Sequence, residues 1–309
     1  MTIDFGLGLL FGPPKGRNAE WLATLDAVIP NLTGHMRSVW MTDHFMWRDE
    51  PTYEAMMTLA FLAARYPQIE VGPMVLGQNY RNPAMLAQMA STLQALTNGR
   101  FVMGIGAGWK EDEYRAYHYA FPTPGERIQQ LEETLILLKK MWTQPGPVTF
   151  EGRHYSVTDA WCEPKPHPAP PILVGGTGLK TIMLAAKYAD MWNMSDANLA
   201  GYTERLAILN QHCETIGRDP ATLRKTWFGR MAIGATAAQA QARANSRAIP
   251  YSTANAFVGT PAQIVEQLHG FVAAGVSYFM IDVIGLPDPD VIAMLTGEII
   301  PQISAAQNL

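Results

Sequence analysis

Apolar residues along this chain gather into short unbroken runs separated by longer stretches with helical spacing. Eight runs stand out: Ile3–Leu10, Ser38–Thr42, Ile69–Leu76, Arg100–Ile105, Ile172–Val174, Asp190–Asn193, Thr226–Ile233 and Tyr278–Ile284. They are mostly continuous rather than alternating, as expected of strands covered on both faces. The segments between them carry helix signals. Asn82-Pro83 supplies an N-cap and an N1 proline, Met85, Met89, Leu93 and Leu96 form a stripe, and Asn98-Gly99 ends the helix. Thr260-Pro261-Ala262-Gln263 reads as a capping box ahead of Ile264, Leu268 and Phe271, and Ile128, Leu131, Leu135, Leu138 and Trp142 set a third helix. The segment Val71–Trp109 condenses the rule, because strand, loop, helix, strand and glycine-rich loop follow in the order of a parallel βαβ unit.

Eight strands in this order predict one (β/α)8 TIM barrel spanning residues 1–309, with a doubly wound open sheet as the fallback. Two stretches break the rhythm. Residues 110–171 are too long for one connection and contain a hairpin at Val148–Val157 and a proline-rich run, Cys162–Pro171. Residues 244–259 are polar and lack helical spacing. Both are expected to be insertions on the C-terminal face of the barrel, where long loops form lids or substrate walls.

Composition then works by exclusion. Charged residues make up only 16%, net charge is −4, and there is no Lys/Arg run, which argues against nucleic acid or an anionic membrane as partner. No apolar run approaches the roughly 18 residues of a membrane span, and the N-terminus is acidic where an export signal is basic. The two cysteines, Cys162 and Cys213, form no CxxC pair. The expectation is a cytoplasmic protein acting on a small molecule.

Candidate chemistry lies at strand ends. Asp43-His44 directly follows the second run, and histidine titrates near neutrality, so the pair suits proton transfer; a capping aspartate beside a packed histidine would look the same. Gly104-Ile-Gly106-Ala-Gly108 lacks dinucleotide-loop spacing, but it allows close approach to a flat ring or a phosphate chain. Gly175-Gly176-Thr177-Gly178 opens a helix, whose first N–H groups attract phosphate. The seven histidines show no HxH or HExxH spacing, so no metal is expected, and there is no GxSxG elbow. Trp47 and Trp109 each follow a strand-end motif and could wall a planar substrate.

Several of these motifs together resemble one family. Arg81-Asn82-Pro83, the run Leu96–Trp109 followed by Glu113, Glu126-Arg127, Leu131-Glu132-Glu133, Phe150-Glu151-Gly152, Pro170–Gly176 and Ala189–Asn193 look like the bacterial luciferase-like superfamily. The resemblance implies a barrel that binds the deazaflavin coenzyme F420 or FMN at the strand C-termini. Asp43-His44-Phe45 is similar to the F420-dependent branch, which implies His44 at the reactive ring edge and Asp43 as an anchor. The family also carries a cis peptide that maps onto Met74–Val75, beside Gly77. Ala107, Gly108, Gly175, Gly176 and Thr177 match positions near the cofactor side chain and phosphate. Sugar-phosphate dehydrogenases of that branch hold a glutamate where this chain has Trp109, which favours an apolar or planar substrate instead. The implied activity is hydride transfer to or from F420. The alternatives are an FMN-dependent monooxygenase and a non-catalytic flavin-binding homologue. A homodimer is usual in the family.

Overall fold

The computed structural model describes residues 2–10, 12, 16–246 and 255–305. The chain alternates strands and helices from its first strand to its last: β1 (Asp4–Leu9), α1 (Asn18–Leu32), β2 (Ser38–Met41), α2 (Ala55–Arg65), β3 (Glu70–Pro73), β4 (Leu76–Gly77), α3 (Pro83–Leu96) and β5 (Met103–Gly106) come first. Next are α4 (Glu111–Ala116), α5 (Pro124–Thr143), the hairpin β6 (Val148–Glu151) and β7 (Ser156–Ala160), β8 (Ile172–Gly175), α6 (Leu179–Tyr188), β9 (Met191–Ser195) and α7 (Leu199–Thr215). The last part holds β10 (Arg224–Ile233), α8 (Ala237–Ser246), β11 (Phe257–Gly259), α9 (Pro261–Ala273), β12 (Val276–Ile284) and C-terminal helical turns from Pro289 to Ala305.

The main sheet is parallel in the order β3-β2-β1-β12-β10-β9-β8-β5-β4. β3 and β4 are two halves of the third run, separated at Met74–Val75, whose peptide bond is cis. The barrel closes where Val71 donates to the Arg100 carbonyl at 2.9 Å and accepts from the Val102 N–H at 3.0 Å. Gly104 is needed at this seam, because a Cβ there would sit 1.9 Å from the Pro73 carbonyl oxygen. All eight expected runs are barrel strands, and the fold is the TIM barrel that their pattern predicted. One strand was not anticipated. β11 is only three residues long and adds to the end of β10, with Met231 opposite Phe257.

Trp40, Val102, Leu173, Phe228, Tyr278 and Met280 fill the barrel interior, while a larger apolar layer lies between strands and outer helices. Helix α3 begins at the expected cap, where Asn82 Oδ1 accepts from the Ala84 N–H at 2.9 Å. Its expected stripe needs correction. Met85 and Leu96 face outward, and Leu86, Ala87, Ala90 and Leu93 form the buried face, because the barrel contacts a row offset by one residue. At α9 the capping box is present, with the Thr260 N–H on Gln263 Oε1 at 3.0 Å.

Within residues 110–171, α5 is an ordinary outer helix burying Leu131, Leu135, Leu138 and Trp142. The hairpin that follows docks along its flank. There Glu133 accepts the N–H groups of Arg153, His154 and Tyr155 at 2.8–3.0 Å. The part around α4 reaches the strand ends at His44, and the hairpin reaches the end of β4 through the Tyr155 hydroxyl, which donates to Gln78 Oε1 at 3.0 Å. Half of the expected insertion at 244–259, residues 247–254, lies outside the described residues. Of the rest, 244–246 finish helix α8 and Phe257–Gly259 form β11, so these parts are regular elements and not the irregular loop expected.

Candidate active site

β2 ends at Met41, and the chain leaves the barrel through Thr42, Asp43 and His44, all buried. His44 Nδ1 lies 3.1 and 3.2 Å from the two carboxylate oxygens of Glu113, on α4. Glu113 is fully buried and also accepts the N–H groups of Phe45 at 3.0 Å and Met46 at 3.1 Å, and the Tyr80 hydroxyl at 3.0 Å. Burial alone would raise its pKa. The hydrogen bond and charge interaction with the His44 ring, the Met46 amide and the Tyr80 hydroxyl outweigh burial, so the carboxyl titrates below its usual range. Burial, with Tyr114 and Glu113 beside it, drives the Tyr80 hydroxyl far above its ordinary value, so it stays a donor. An ionised Glu113 makes Nδ1 the donor and leaves Nε2 as the acceptor.

Asp43 has a supporting place. Its carboxylate accepts two bonds from Arg81, at 2.8 and 2.9 Å, and one from the Gly77 N–H at 3.0 Å. It thus ties the exit of β2 to β4 and to the turn before α3. Arg81 also pairs with Glu54, which caps α2.

Two cavities open among these strand ends. The larger, about 370 Å³, is lined by Asp43, His44, Met74, Val75 and Gly77 on one side and by Gly108, Trp109, Gly175, Gly176 and Thr177 on the other. Leu76, Tyr80, Lys110, Asn193 and Ser195 complete its lining. At one end is the N-terminus of α6, which has no side-chain cap, so its first N–H groups can take an anion. The smaller cavity, about 240 Å³, shares His44, Met74, Trp109 and Ser195 with the first and continues to Leu10, Phe228 and Arg230. Gly108 holds a φ of +74°, and a Cβ there would lie 2.0 Å from the Tyr114 hydroxyl oxygen. Gly108→Ala is expected to cost about 1–3 kcal/mol through strain and displacement of Tyr114, read as a lower thermal midpoint.

The two tryptophans separate. Trp109 is 61% exposed and stands between both cavities, its ring edge-on to His44 at 5.7 Å. Trp47 is buried, 5.0 Å from the His44 ring, and lines neither cavity. The loop after β2 folds back through a Trp47–Glu50 bridge and tucks this ring behind the histidine. Ala107 is likewise absent from the lining and packs against the core. Residue-level reading gave no separate role to Glu113, Tyr80, Lys110, Ser195 or Arg230. Among the described residues there is no His/Cys/Asp/Glu group fit for a metal.

A histidine on a buried carboxylate, at the shared mouth of two cavities on a TIM barrel, can be compared with known proteins. The family model of the luciferase-like monooxygenases matches residues 36–254. The chain belongs to this family. It is similar to the F420-dependent glucose-6-phosphate dehydrogenase of Kineococcus radiotolerans, with 34% identity over 195 residues, 61% of this chain and 57% of the relative. The chain spans about half the length of the curated relatives it matches. An F420-dependent secondary alcohol dehydrogenase, solved with an F420-acetone adduct, superimposes with a TM-score of 0.84 over 98% of this chain and 99% of that one, at 18% identity. A monooxygenase from Streptomyces bottropensis gives a TM-score of 0.81 over 97% and 99%, at 17% identity. At such identities the structural likeness speaks for the barrel alone.

Proposed function

We propose that the protein is an oxidoreductase that moves a hydride between an organic substrate and coenzyme F420 held in the larger cavity. The observation that carries this reading is His44, locked by Glu113 at the mouth shared by two adjoining cavities. No side chain at the site is itself a redox centre, so a bound cofactor has to supply that chemistry. The cavity suits a ring bearing a phosphorylated tail. Gly175, Gly176 and Thr177 lead into the uncapped N-terminus of α6, where a phosphate would be held, and Met74, Val75 and Gly77 would back the ring. The relatives named as F420-dependent dehydrogenases support the deazaflavin over FMN.

When bound, the deazaflavin supplies a ring carbon that accepts or returns a hydride. The remaining work falls to the chain. His44 Nε2 takes the hydroxyl proton of an alcohol, and the nearby Glu113 carboxylate stabilises the resulting imidazolium. Trp109 covers the boundary between the cavities and limits water there. A panel of secondary alcohols mixed with oxidised F420 without oxygen tests the proposal. Loss of the deazaflavin's visible absorbance with at least one alcohol is expected. Activity only with reduced FMN and oxygen would favour the monooxygenase alternative.

A cytoplasmic homodimer belongs to the same proposal. No helix among the described residues is long and apolar enough to cross a membrane, and both cysteines are buried free thiols. Met57, Phe61, Met85 and Leu96 are exposed on α2 and α3, and such apolar surface favours a partner. Light scattering is expected to give twice the chain mass of 34.1 kDa, and a monomer at assay concentration would reject the dimer.

A further inference from the structure

We propose that the smaller cavity takes a neutral secondary alcohol, or its ketone, built on a flat apolar body, and that it rejects phosphate esters. The redox half of this statement rests on the deazaflavin reading above, whereas the recognition half stands on the cavity itself. An engineered apolar cavity of roughly 150 Å³ holds benzene. The 240 Å³ here accommodates an aromatic ring with a short side chain, or a second small ring. Its apolar walls are Leu10, Met74 and Trp109, which follow three different strands, and Phe228, which rises from within β10.

The polar end argues against an anion. Arg230 is the cation that lines this cavity, and its nearly buried guanidinium donates to Asp196 Oδ1 at 2.8 Å. Asp282 lies in register with Arg230 on the adjoining strand, so two carboxylates share the neighbourhood of one guanidinium. Burial raises the Asp196 pKa above its usual range, Arg230 opposes the rise, and Asp282 adds to it, so the Arg230 charge is already engaged by carboxylates of its own neighbourhood. Phosphate sites need cations whose donors are turned to the ligand. Lys110 lines the larger cavity instead and holds Asp112 at 2.6 Å.

The end is also firmly built. The Asp196 N–H donates to the Phe228 carbonyl at 2.8 Å, and Asn255 Nδ2 donates to the Asp196 carbonyl at 2.7 Å. Asp196 and Ser195 can therefore receive or donate one hydrogen bond to a neutral polar group while the carbinol lies at His44. On oxidation the carbinol C–H bond breaks and its electron pair leaves as hydride to the deazaflavin. The O–H proton passes to His44 Nε2, and the C–O bond becomes the ketone carbonyl. Reduction runs the same exchange backwards.

Isothermal titration calorimetry of the protein without cofactor, with acetophenone and glucose 6-phosphate as probes, tests recognition. Saturable acetophenone binding is expected, with no saturable heat from glucose 6-phosphate. Phe228→Ala, which removes a wall, and Leu10→Phe, which fills the space, are each expected to weaken acetophenone at least tenfold and to leave F420 affinity unchanged. A glucose 6-phosphate affinity equal to or better than that of acetophenone would overturn the proposal, as would acetophenone binding insensitive to both variants. Failure of F420 to bind while acetophenone still does would remove the cofactor reading and leave the recognition argument standing.

Discussion

Glutamine in place of Glu113 is expected to lower kcat by about 10–100-fold, the usual scale for losing an orienting partner behind a reacting group, with cofactor affinity unchanged. The side chain keeps its shape, and its carbonyl oxygen can still receive the Phe45 and Met46 N–H groups. Its amide then meets His44 Nδ1 and the Tyr80 hydroxyl, where two donors previously faced a carboxylate. His44 is pushed to the other tautomer, with the proton on Nε2, and its base function is lost. Glu113→Ala is harsher, since it strands several buried donors at once, and roughly 3–5 kcal/mol of stability should go with it. The sign with pH follows from the lowered pKa of Glu113. A carboxyl depressed in the folded state stabilises above its unfolded pKa and loses that contribution as pH falls through the folded value. The stability gap between parent and Gln variant should therefore close on acidification. A Gln variant with parental kcat across the pH profile would remove Glu113 from the account.

His44→Ala is expected to abolish most turnover, by about 10²–10⁴-fold, the range for removing a general base. F420 affinity should stay within about an order of magnitude, because the end proposed for the cofactor phosphate, at Gly176, Thr177 and α6, lies on other strand ends. The two losses can be separated by measuring cofactor binding and turnover on one preparation. Parental turnover in the folded variant would end the catalytic role of His44, and collapse of cofactor binding would turn it into an anchor.

The barrel was readable from the chain because its strands are buried on both faces and leave continuous apolar runs. β11 was not, since three residues in a polar stretch become a strand only when the edge of β10 offers them partners. His44 could be found because it follows a strand directly. Glu113 could not be given its task by spacing, as the contact joins residues 69 positions apart and exists only once α4 folds over the exit of β2. The same holds for the Arg81 that takes up Asp43, and for Arg230, which hides inside an apolar strand. Trp47 and Trp109 looked alike as strand-end tryptophans, and only the Trp47–Glu50 bridge sends one behind the histidine and leaves the other at the cavity mouth.

The central claim is a deazaflavin site, and the most direct measurement is a fluorescence titration of protein made in a host lacking F420, with F420 and FMN run side by side. The account predicts a saturating response to F420 at one site per chain, with at least tenfold weaker binding of FMN. Tight FMN binding with no response to F420 would contradict it.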